Sequence, residues 1–340
     1  MADPADVVTD HGGSLGRADA LFPGAPKPWV DLSTGINPHS YPLFDLPATA
    51  FSRLPEESRA RELAALAATI YGAPGAANVT PAPGTQILLP LVMALVAPGR
   101  AKVLSPTYAE HRRAAALIGH AASETTDFDE LFDADLAIVV NPNNPDGRVL
   151  PRADLLRLAR HMEGKGGLLV VDEAFMDVGP TDESVAGDVA IGSLVVLRSF
   201  GKFFGLPGVR LGFVIANEAI AARLAGQLGP WAVSGPTLEY GLRALADREW
   251  QAAMRRRLAK GATRLDALLA EHGIPVAGGT TLFRFIRLRE AASLFDALGR
   301  NGILVRNFSH MLDALRFGLP ADDAEFARLG RALAKWRTSA

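Results

Sequence analysis

Short apolar runs alternate with amphipathic stretches along the middle of the chain. An apolar run of roughly four to eight residues bounded by turn residues is typical of a buried strand, whereas apolar positions repeated every three or four residues indicate a helix. The predicted strands are Lys102–Ser105, Leu136–Asn141, Leu168–Asp172, Leu194–Arg198 and Leu211–Ala216. The predicted helices between or before them are Arg59–Tyr71, Ala109–Gly119 and Arg152–Gly164.

This alternation of strands and helices predicts an α/β fold with a mostly parallel central sheet and helices on both faces. Residues 1–35 are rich in Gly, Pro and Asp, and we expect an N-terminal arm without regular elements there. A large domain is then predicted over 36–230. A smaller domain follows over 231–340, helical from Gly235 to His272 and of α+β type from Leu282 to Trp336.

Composition narrows the function classes. The 340 residues are 49% hydrophobic with a net charge of −2, so a sizeable core is expected, and neither nucleic acid nor an anionic membrane is indicated as a partner. The absence of cysteine excludes disulfides, thiolate metal sites and cysteine nucleophiles. No apolar run has the length of a membrane span, and residues 1–13 do not resemble a secretory signal, so the expected location is the cytoplasm.

Polar residues follow the ends of four predicted strands. These segments are Ser105–Tyr108, Asn141–Pro145, Asp172–Glu173 and Arg198–Ser199. In open α/β sheets, ligands bind beyond the carboxyl ends of the strands. The pattern therefore predicts one ligand site built from these ends.

Two candidate residues have charged side chains in apolar surroundings, and one of them suits carbonyl chemistry. Lys202 lies among Phe200, Phe203 and Phe204, and desolvation would lower the pKa of its amine and make it nucleophilic. A surface lysine whose stem packs on apolar residues is the alternative. Asp172 ends a buried strand, where a carboxylate needs a partner. A protonated ring nitrogen, a helix cap or a structural ion pair would each serve.

Other residues suit anions and planar rings. Gly84, Thr85 and Gln86 precede an apolar, helix-like run, and such a segment can bind an anion through its backbone N–H groups and hydroxyl. Ser199 and Arg210 could contact the same anion. Tyr108 is a candidate for stacking on a ring, and Asn144 for donating to a ring oxygen. Arg306 and Arg316 each end an apolar run and need an anionic partner. That partner would be a substrate carboxylate or phosphate, or else a structural Asp or Glu.

The order of these residues resembles a known family. Asn144, Asp172, Lys202 and Arg210 are similar to the signature of fold-type I pyridoxal-phosphate (PLP) enzymes of the class I/II aminotransferase group. The segment Arg198–Phe213, RSFGKFFGLPGVRLGF, is similar to the histidinol-phosphate aminotransferase branch. The resemblance extends from His11 to the last predicted helix.

Within this branch, the chain resembles the threonine-phosphate decarboxylases of cobalamin biosynthesis. The similar segments are His11–Gly13, Asp31–Pro38 and Pro230–Ser234. In addition, Phe175 occupies a position where the aminotransferases usually have a tyrosine. The resemblance implies decarboxylation of L-threonine-O-3-phosphate to (R)-1-amino-2-propanol O-2-phosphate by a homodimer.

The resemblance also implies roles for individual residues. PLP would be held covalently by Lys202, with Asp172 paired to its ring nitrogen, Asn144 on its ring oxygen and Tyr108 stacked on its ring. The implied contacts of the cofactor phosphate are Gly84, Thr85, Ser199 and Arg210, with Gln86 beside them. Arg316 would bind the substrate carboxylate, and the implied contacts of the substrate phosphate are His11, Gly12 and Arg306. No metal is implied.

Three positions depart from the pattern of the relatives: Leu54 replaces a tyrosine, Gly35 an asparagine and Asp146 a threonine. Two alternative functions stay open. One is a histidinol-phosphate aminotransferase, which would need 2-oxoglutarate. The other is a non-catalytic, complex-forming protein, against which the intact Lys202 and Asp172 argue.

Overall fold

The computed structural model describes residues 11–339, which form two compact units. The first unit contains residues 40–144 and 149–249, and the second contains the described residues 11–39, 145–148 and 250–339. Each unit has its own sheet and is described by itself below.

The strands and helices of the described residues are numbered in chain order. The strands are β1 (Val30–Leu32), β2 (Val79–Ala82), β3 (Arg100–Leu104), β4 (Ala121–Thr125), β5 (Leu136–Val140), β6 (Leu168–Asp172), β7 (Leu194–Ser199), β8 (Gly212–Ile215), β9 (Val276–Thr280), β10 (Phe283–Arg287), β11 (Ile303–Asn307) and β12 (Ala314–Gly318). The α-helices are α1 (Leu15–Leu21), α2 (Thr49–Ser52), α3 (Glu57–Tyr71), α4 (Leu88–Met93), α5 (Glu110–Leu117), α6 (Arg152–Lys165), α7 (Phe200–Phe203), α8 (Glu218–Leu228), α9 (Gly235–Ala246), α10 (Arg248–Glu271), α11 (Ala291–Arg300) and α12 (Asp323–Ser339). No helix among the described residues is both long enough and apolar enough to cross a membrane.

The sheet of the first unit has seven strands in the order β2-β8-β7-β6-β5-β3-β4. Neighbouring strands from β7 to β4 run parallel, while β8 is antiparallel to both β7 and β2. All residues of β5 and β6 are buried, as expected for parallel strands covered on both faces. The five strands predicted from apolar runs all form, and the predicted α/β fold class is confirmed.

The helix ends follow local chemistry. Helix α3 ends at Gly72, whose φ is 74°, and α6 ends at Gly166, whose φ is 71°. A left-handed residue at the helix end allows the last carbonyls to be capped, and glycine adopts this conformation without a side-chain clash. The sequence placed the ends of both helices correctly to within one residue.

The prediction that residues 1–35 lack regular elements is wrong, because α1 and β1 lie within them. β1 has only three residues, too few to show a period in the sequence. Its stability comes from parallel pairing with β11, which lies far away in the chain. β2 and β4 also escaped prediction: β2 contains Pro81 and lies at a sheet edge, and β4 is mostly polar and exposed at the other edge.

The second unit is built on a five-stranded sheet in the order β1-β11-β12-β10-β9. β12 is antiparallel to both β10 and β11, and Arg306 of β11 lies directly opposite Arg316 of β12. The α+β character predicted for the C-terminal segment is therefore confirmed. This sheet places two arginines side by side.

Candidate active site

Asp172 is the last residue of β6, and its carboxylate has two fixed partners. Asp172 Oδ1 accepts a hydrogen bond from the backbone N–H of Ala174 at 3.0 Å, and His111 Nε2 lies 3.0 Å from Asp172 Oδ2. Asp172 is 6% exposed and His111 is fully buried. Because an ionised carboxylate only accepts hydrogen bonds, His111 Nε2 carries the proton and donates it.

His111 was missed in the sequence analysis. It lies in the first turn of α5, three residues after Tyr108, and the two rings meet edge to face with centroids 5.7 Å apart. Tyr108 precedes the helix, and its carbonyl oxygen accepts a hydrogen bond from the backbone N–H of His111 at 3.1 Å, so the closeness of the two residues in the chain was the available signal. In the described part of the chain, His111 Nδ1 is buried without a hydrogen-bond partner.

Lys202 lies in the short helix α7 and is partly buried. Its Nζ is 5.8 Å from the ring centroid of Phe175, which follows β6 and is buried. Phe200 and Phe204 stack on each other nearby in the chain, with centroids 4.3 Å apart. The amine of Lys202 therefore has an apolar ring near it, and two stacked rings lie within and directly after its helix.

Four predicted anion-binding residues lie close together. The φ of Gly84 is 84°, and a Cβ built on it would lie 2.6 Å from Arg210 Nη2. A Cβ on Gly212 would lie 2.7 Å from the backbone nitrogen of Thr85, and Gly212 is the strand partner of Ser199. Only glycines leave room for this packing. The result is a cradle of backbone N–H groups, hydroxyls and a guanidinium, a donor set that suits a phosphate group.

Side-chain hydrogen bonds join Gln86 to Tyr108. Tyr108 Oη donates to Gln86 Oε1, and Gln86 Nε2 donates to Glu110 Oε2, each at 3.1 Å. The tyrosine is thereby held in one orientation. Asn144 directly follows Asn143, which is buried and accepts a hydrogen bond from Thr107 Oγ1 at 2.7 Å.

A buried ion triad lies next to the strand ends that carry Asp172 and Ser199. Arg198 Nη1 donates to Glu173 Oε2 at 2.8 Å, and Arg198 Nη2 donates to Asp177 Oδ1 at 3.1 Å. Burial raises the pKa of Glu173, and the positive charge of Arg198 opposes that rise. The triad joins the end of β6 to the end of β7 and therefore fixes the distance between these two strand ends.

The second unit contains the remaining predicted residues. Arg316 is 7% exposed, and its Nη2 donates to the carbonyl oxygen of Ser33 at 2.8 Å. Burial, together with the charge of Arg306, lowers the pKa of Arg316 to about 9, and Asp31 opposes this shift. Gly12 packs on the same Ser33 carbonyl, because a Cβ on it would lie 2.4 Å from that oxygen. Two adjacent guanidiniums beside this segment favour an anionic ligand.

The fold and the site define a two-unit α/β enzyme whose first unit contains a lysine, a buried aspartate and a group of donors that suits an anion. The family model for aminotransferase class I and II matches residues 58–332, and the chain belongs to this family. The family predicted from the sequence is thereby confirmed.

The chain is similar to curated proteins of two enzyme types. The chain is 43% identical to a threonine-phosphate decarboxylase from Pseudomonas aeruginosa over 96% of this chain and 97% of that protein. It is equally similar, at the same coverage, to a threonine-phosphate decarboxylase from Sinorhizobium sp. A histidinol-phosphate aminotransferase from Shewanella amazonensis is 29% identical over 71% of this chain and 73% of that protein.

Solved structures share the fold. One is a histidinol-phosphate aminotransferase from Clostridium acetobutylicum, with a TM-score of 0.79, 22% identity and coverage of 92% of this chain and 100% of that one. Another is the histidinol-phosphate aminotransferase from Sinorhizobium meliloti in complex with pyridoxal-5'-phosphate, with a TM-score of 0.75, 21% identity and coverage of 86% and 85%.

Proposed function

We propose that the protein is a PLP-dependent decarboxylase that converts L-threonine-O-3-phosphate to (R)-1-amino-2-propanol O-2-phosphate and carbon dioxide. The observation that carries this proposal is the 43% identity to two threonine-phosphate decarboxylases over nearly the whole chain. By the same similarity, we propose that the enzyme serves cobalamin biosynthesis and acts in the cytoplasm.

The residues of the first unit fit the cofactor. The cradle of Gly84, Thr85, Ser199 and Arg210 has the donors that a cofactor phosphate needs. The amine of Lys202 is the group that would hold the cofactor covalently. When bound, PLP supplies an electron sink for the electron pair of the bond that breaks. The carboxylate of Asp172 would keep the ring nitrogen protonated, with the Nε2–H of His111 holding that carboxylate in place.

The arginine pair of the second unit fits a substrate that carries two anionic groups. We assign Arg316 to the substrate carboxylate and Arg306 to the substrate phosphate, with His11 and Gly12 beside them. Guanidinium groups bind both kinds of anion bidentately. Lys202 and Phe175 are neighbours in the first unit. Phe175 has no group that can donate or accept a proton, so of these two side chains only Lys202 can carry one.

The reaction itself tests the proposal. With L-threonine-O-3-phosphate and no keto acid, we expect carbon dioxide release over many turnovers, measured by coupled assay and by mass spectrometry of the product. A transaminase would stop after one turnover, because its cofactor would be left in the amine form. Efficient turnover of histidinol phosphate with 2-oxoglutarate, without carbon dioxide from threonine phosphate, would replace the decarboxylase with the aminotransferase.

A variant extends this test to substrate choice. Arg306→Ala should shrink the preference for threonine phosphate over threonine, because the guanidinium assigned to the substrate phosphate is removed. Arg287→Ala is the matched control, because Arg287 pairs with Asp313 at the surface of the same unit. An unchanged preference in the Arg306 variant would remove this arginine from the substrate phosphate.

We further propose that the enzyme is a homodimer that uses an apolar surface of the first unit. Leu43, Phe51 and Trp231 are 75%, 70% and 58% exposed. Phe51 lines a cavity of about 640 Å³ together with Phe44 and Ala232. Leu43 directly precedes Phe44, and Trp231 directly precedes Ala232, so all three exposed side chains belong to segments at this cavity. Exposed apolar patches of this kind mark interaction sites.

Phe51→Glu should convert the dimer to monomer at micromolar concentration, as measured by sedimentation velocity. The control is Leu312→Glu, because Leu312 is 78% exposed but belongs to the second unit. A wild-type enzyme that is monomeric and active at assay concentration would contradict the proposal.

A further inference from the structure

Ser33 connects three parts of the second unit. Its Oγ donates to Asp31 Oδ1 at 2.6 Å and accepts a hydrogen bond from the backbone N–H of Gly13 at 2.7 Å. Its carbonyl oxygen accepts a hydrogen bond from Arg316 Nη2 at 2.8 Å. The residue is 2% exposed, and its bond to Arg316 is buried, while the bonds to Asp31 and Gly13 are partly buried.

The orientation of the hydroxyl is determined by Asp31. The same carboxylate oxygen of Asp31 also accepts a hydrogen bond from the backbone N–H of Ser33 at 2.9 Å. Since an ionised carboxylate cannot donate, the hydroxyl hydrogen of Ser33 points to Asp31. The lone pairs of Ser33 Oγ are therefore left for the N–H of Gly13.

The sheet places this residue next to the arginine pair. Leu32 is the strand partner of Val305, so Ser33 and Arg306 are the next residues along the two parallel strands. Arg306 in turn lies opposite Arg316. Gly12 packs directly on the Ser33 carbonyl that Arg316 binds. One serine thus contacts both the N-terminal segment and one of the two cations.

We propose that Ser33 is a positioning residue that holds the His11–Gly13 segment beside Arg316 and thereby sets the affinity for the anionic substrate. This inference rests on the proposed function and deepens it. Ser33 does not touch the reacting atoms. It acts through the backbone of Gly13 on one side and the guanidinium of Arg316 on the other.

The variant Ser33→Ala removes the acceptor for the Gly13 N–H and leaves the strand intact. We expect the KM for threonine phosphate to rise about tenfold and kcat to stay within about twofold, since one hydrogen bond that orders a segment is lost. Binding of inorganic phosphate to the holoenzyme, measured by calorimetry, should weaken by about the same factor. Ser33→Thr keeps the hydroxyl and should restore the affinity for phosphate.

The control for a general loss of stability is Ser293→Ala. Ser293 lies in the same unit, and its hydroxyl accepts one hydrogen bond, from Trp336 Nε1 at 3.2 Å. Its KM and phosphate affinity should equal those of wild type even if its Tm falls. Changes in KM that follow Tm equally in both serine variants would overturn the proposal, because they would show a purely structural role.

A second variant tests the same contact without changing Ser33. Gly12→Ala would place a methyl group 2.4 Å from the Ser33 carbonyl and must displace the segment, so it should raise KM as Ser33→Ala does. Gly16→Ala is its control, because no atom lies within 4 Å of a Cβ there. Wild-type KM and phosphate affinity in the Ser33→Ala and Gly12→Ala variants would refute the role of Ser33.

Two measurements distinguish the proposed function from the role of Ser33. A wild-type enzyme that releases no carbon dioxide from threonine phosphate refutes the proposed function. The calorimetric comparison of phosphate binding still decides on Ser33 in that case. Conversely, an active decarboxylase whose Ser33→Ala variant binds phosphate like wild type refutes only the positioning role.

Discussion

Replacing Lys202 by alanine abolishes decarboxylation and removes the visible absorption of the lysine-bound cofactor; this is the largest effect we expect. The amine is the only group of this short helix that can bind the cofactor covalently, and Phe175 lies 5.8 Å away with no reactive group to replace it. We expect turnover to fall by on the order of 10⁴-fold or more, which corresponds to roughly 5 kcal/mol or more of lost transition-state stabilisation.

The control for Lys202 is another lysine of the same unit. Lys165 is at the surface, and its Nζ donates to the carbonyl oxygen of Phe132 at 2.8 Å. Lys165→Ala should keep both the absorption band and wild-type turnover. Full activity in Lys202→Ala would refute the assignment of the cofactor site, while loss of activity in both variants would point to damage of the fold.

Replacing Asp172 by alanine should leave the cofactor bound but slow turnover by roughly a hundredfold. Without the carboxylate, the ring nitrogen loses its proton more easily and the electron sink weakens, and a hundredfold corresponds to about 3 kcal/mol. Steady-state kinetics, together with the absorption spectrum of the bound cofactor, checks both parts of this expectation. Wild-type kcat in Asp172→Ala would disprove the role.

His111→Phe offers a graded form of the same experiment. The phenyl ring keeps the volume but removes the Nε2–H that orients Asp172, so we expect a loss of about tenfold in kcat. His120→Phe is the matched control. His120 is also buried, and its Nε2 contacts the Met93 carbonyl rather than Asp172. Equal losses in both histidine variants would show that packing, and not Asp172, is responsible.

The parts of the fold that the sequence predicted share one physical property. β5, β6 and β7 are buried on both faces, so they require continuous apolar runs that are visible without any structure. The polar residues after these runs, including Asp172, mark where strands end. The resemblance to the family grouped Gly84, Thr85, Ser199 and Arg210, and the structure brings these residues close together; their contact with a phosphate stays a prediction.

The parts that escaped prediction depend on partners far away in the sequence. β1 is a strand only because β11 lies beside it. A lone histidine such as His111 looks like any core residue until Asp172 is seen 3.0 Å away. The bonds of Ser33 to Gly13 and Arg316 join three distant segments. Local patterns contain no information about such contacts.

The adjacent acidic residues Asp172 and Glu173 have different neighbours, and this has an evolutionary consequence. Asp172 contacts His111, whereas Glu173 is buried against Arg198. Removing one partner of a buried ion pair is strongly destabilising, so position 173 is constrained by the need to fold. Under the proposed function, position 172 is constrained by the chemistry of the cofactor. In a descendant of this chain that lost its catalytic role, we therefore expect substitutions at position 172 while glutamate is retained at position 173. The two adjacent acidic positions would then differ in their rates of substitution.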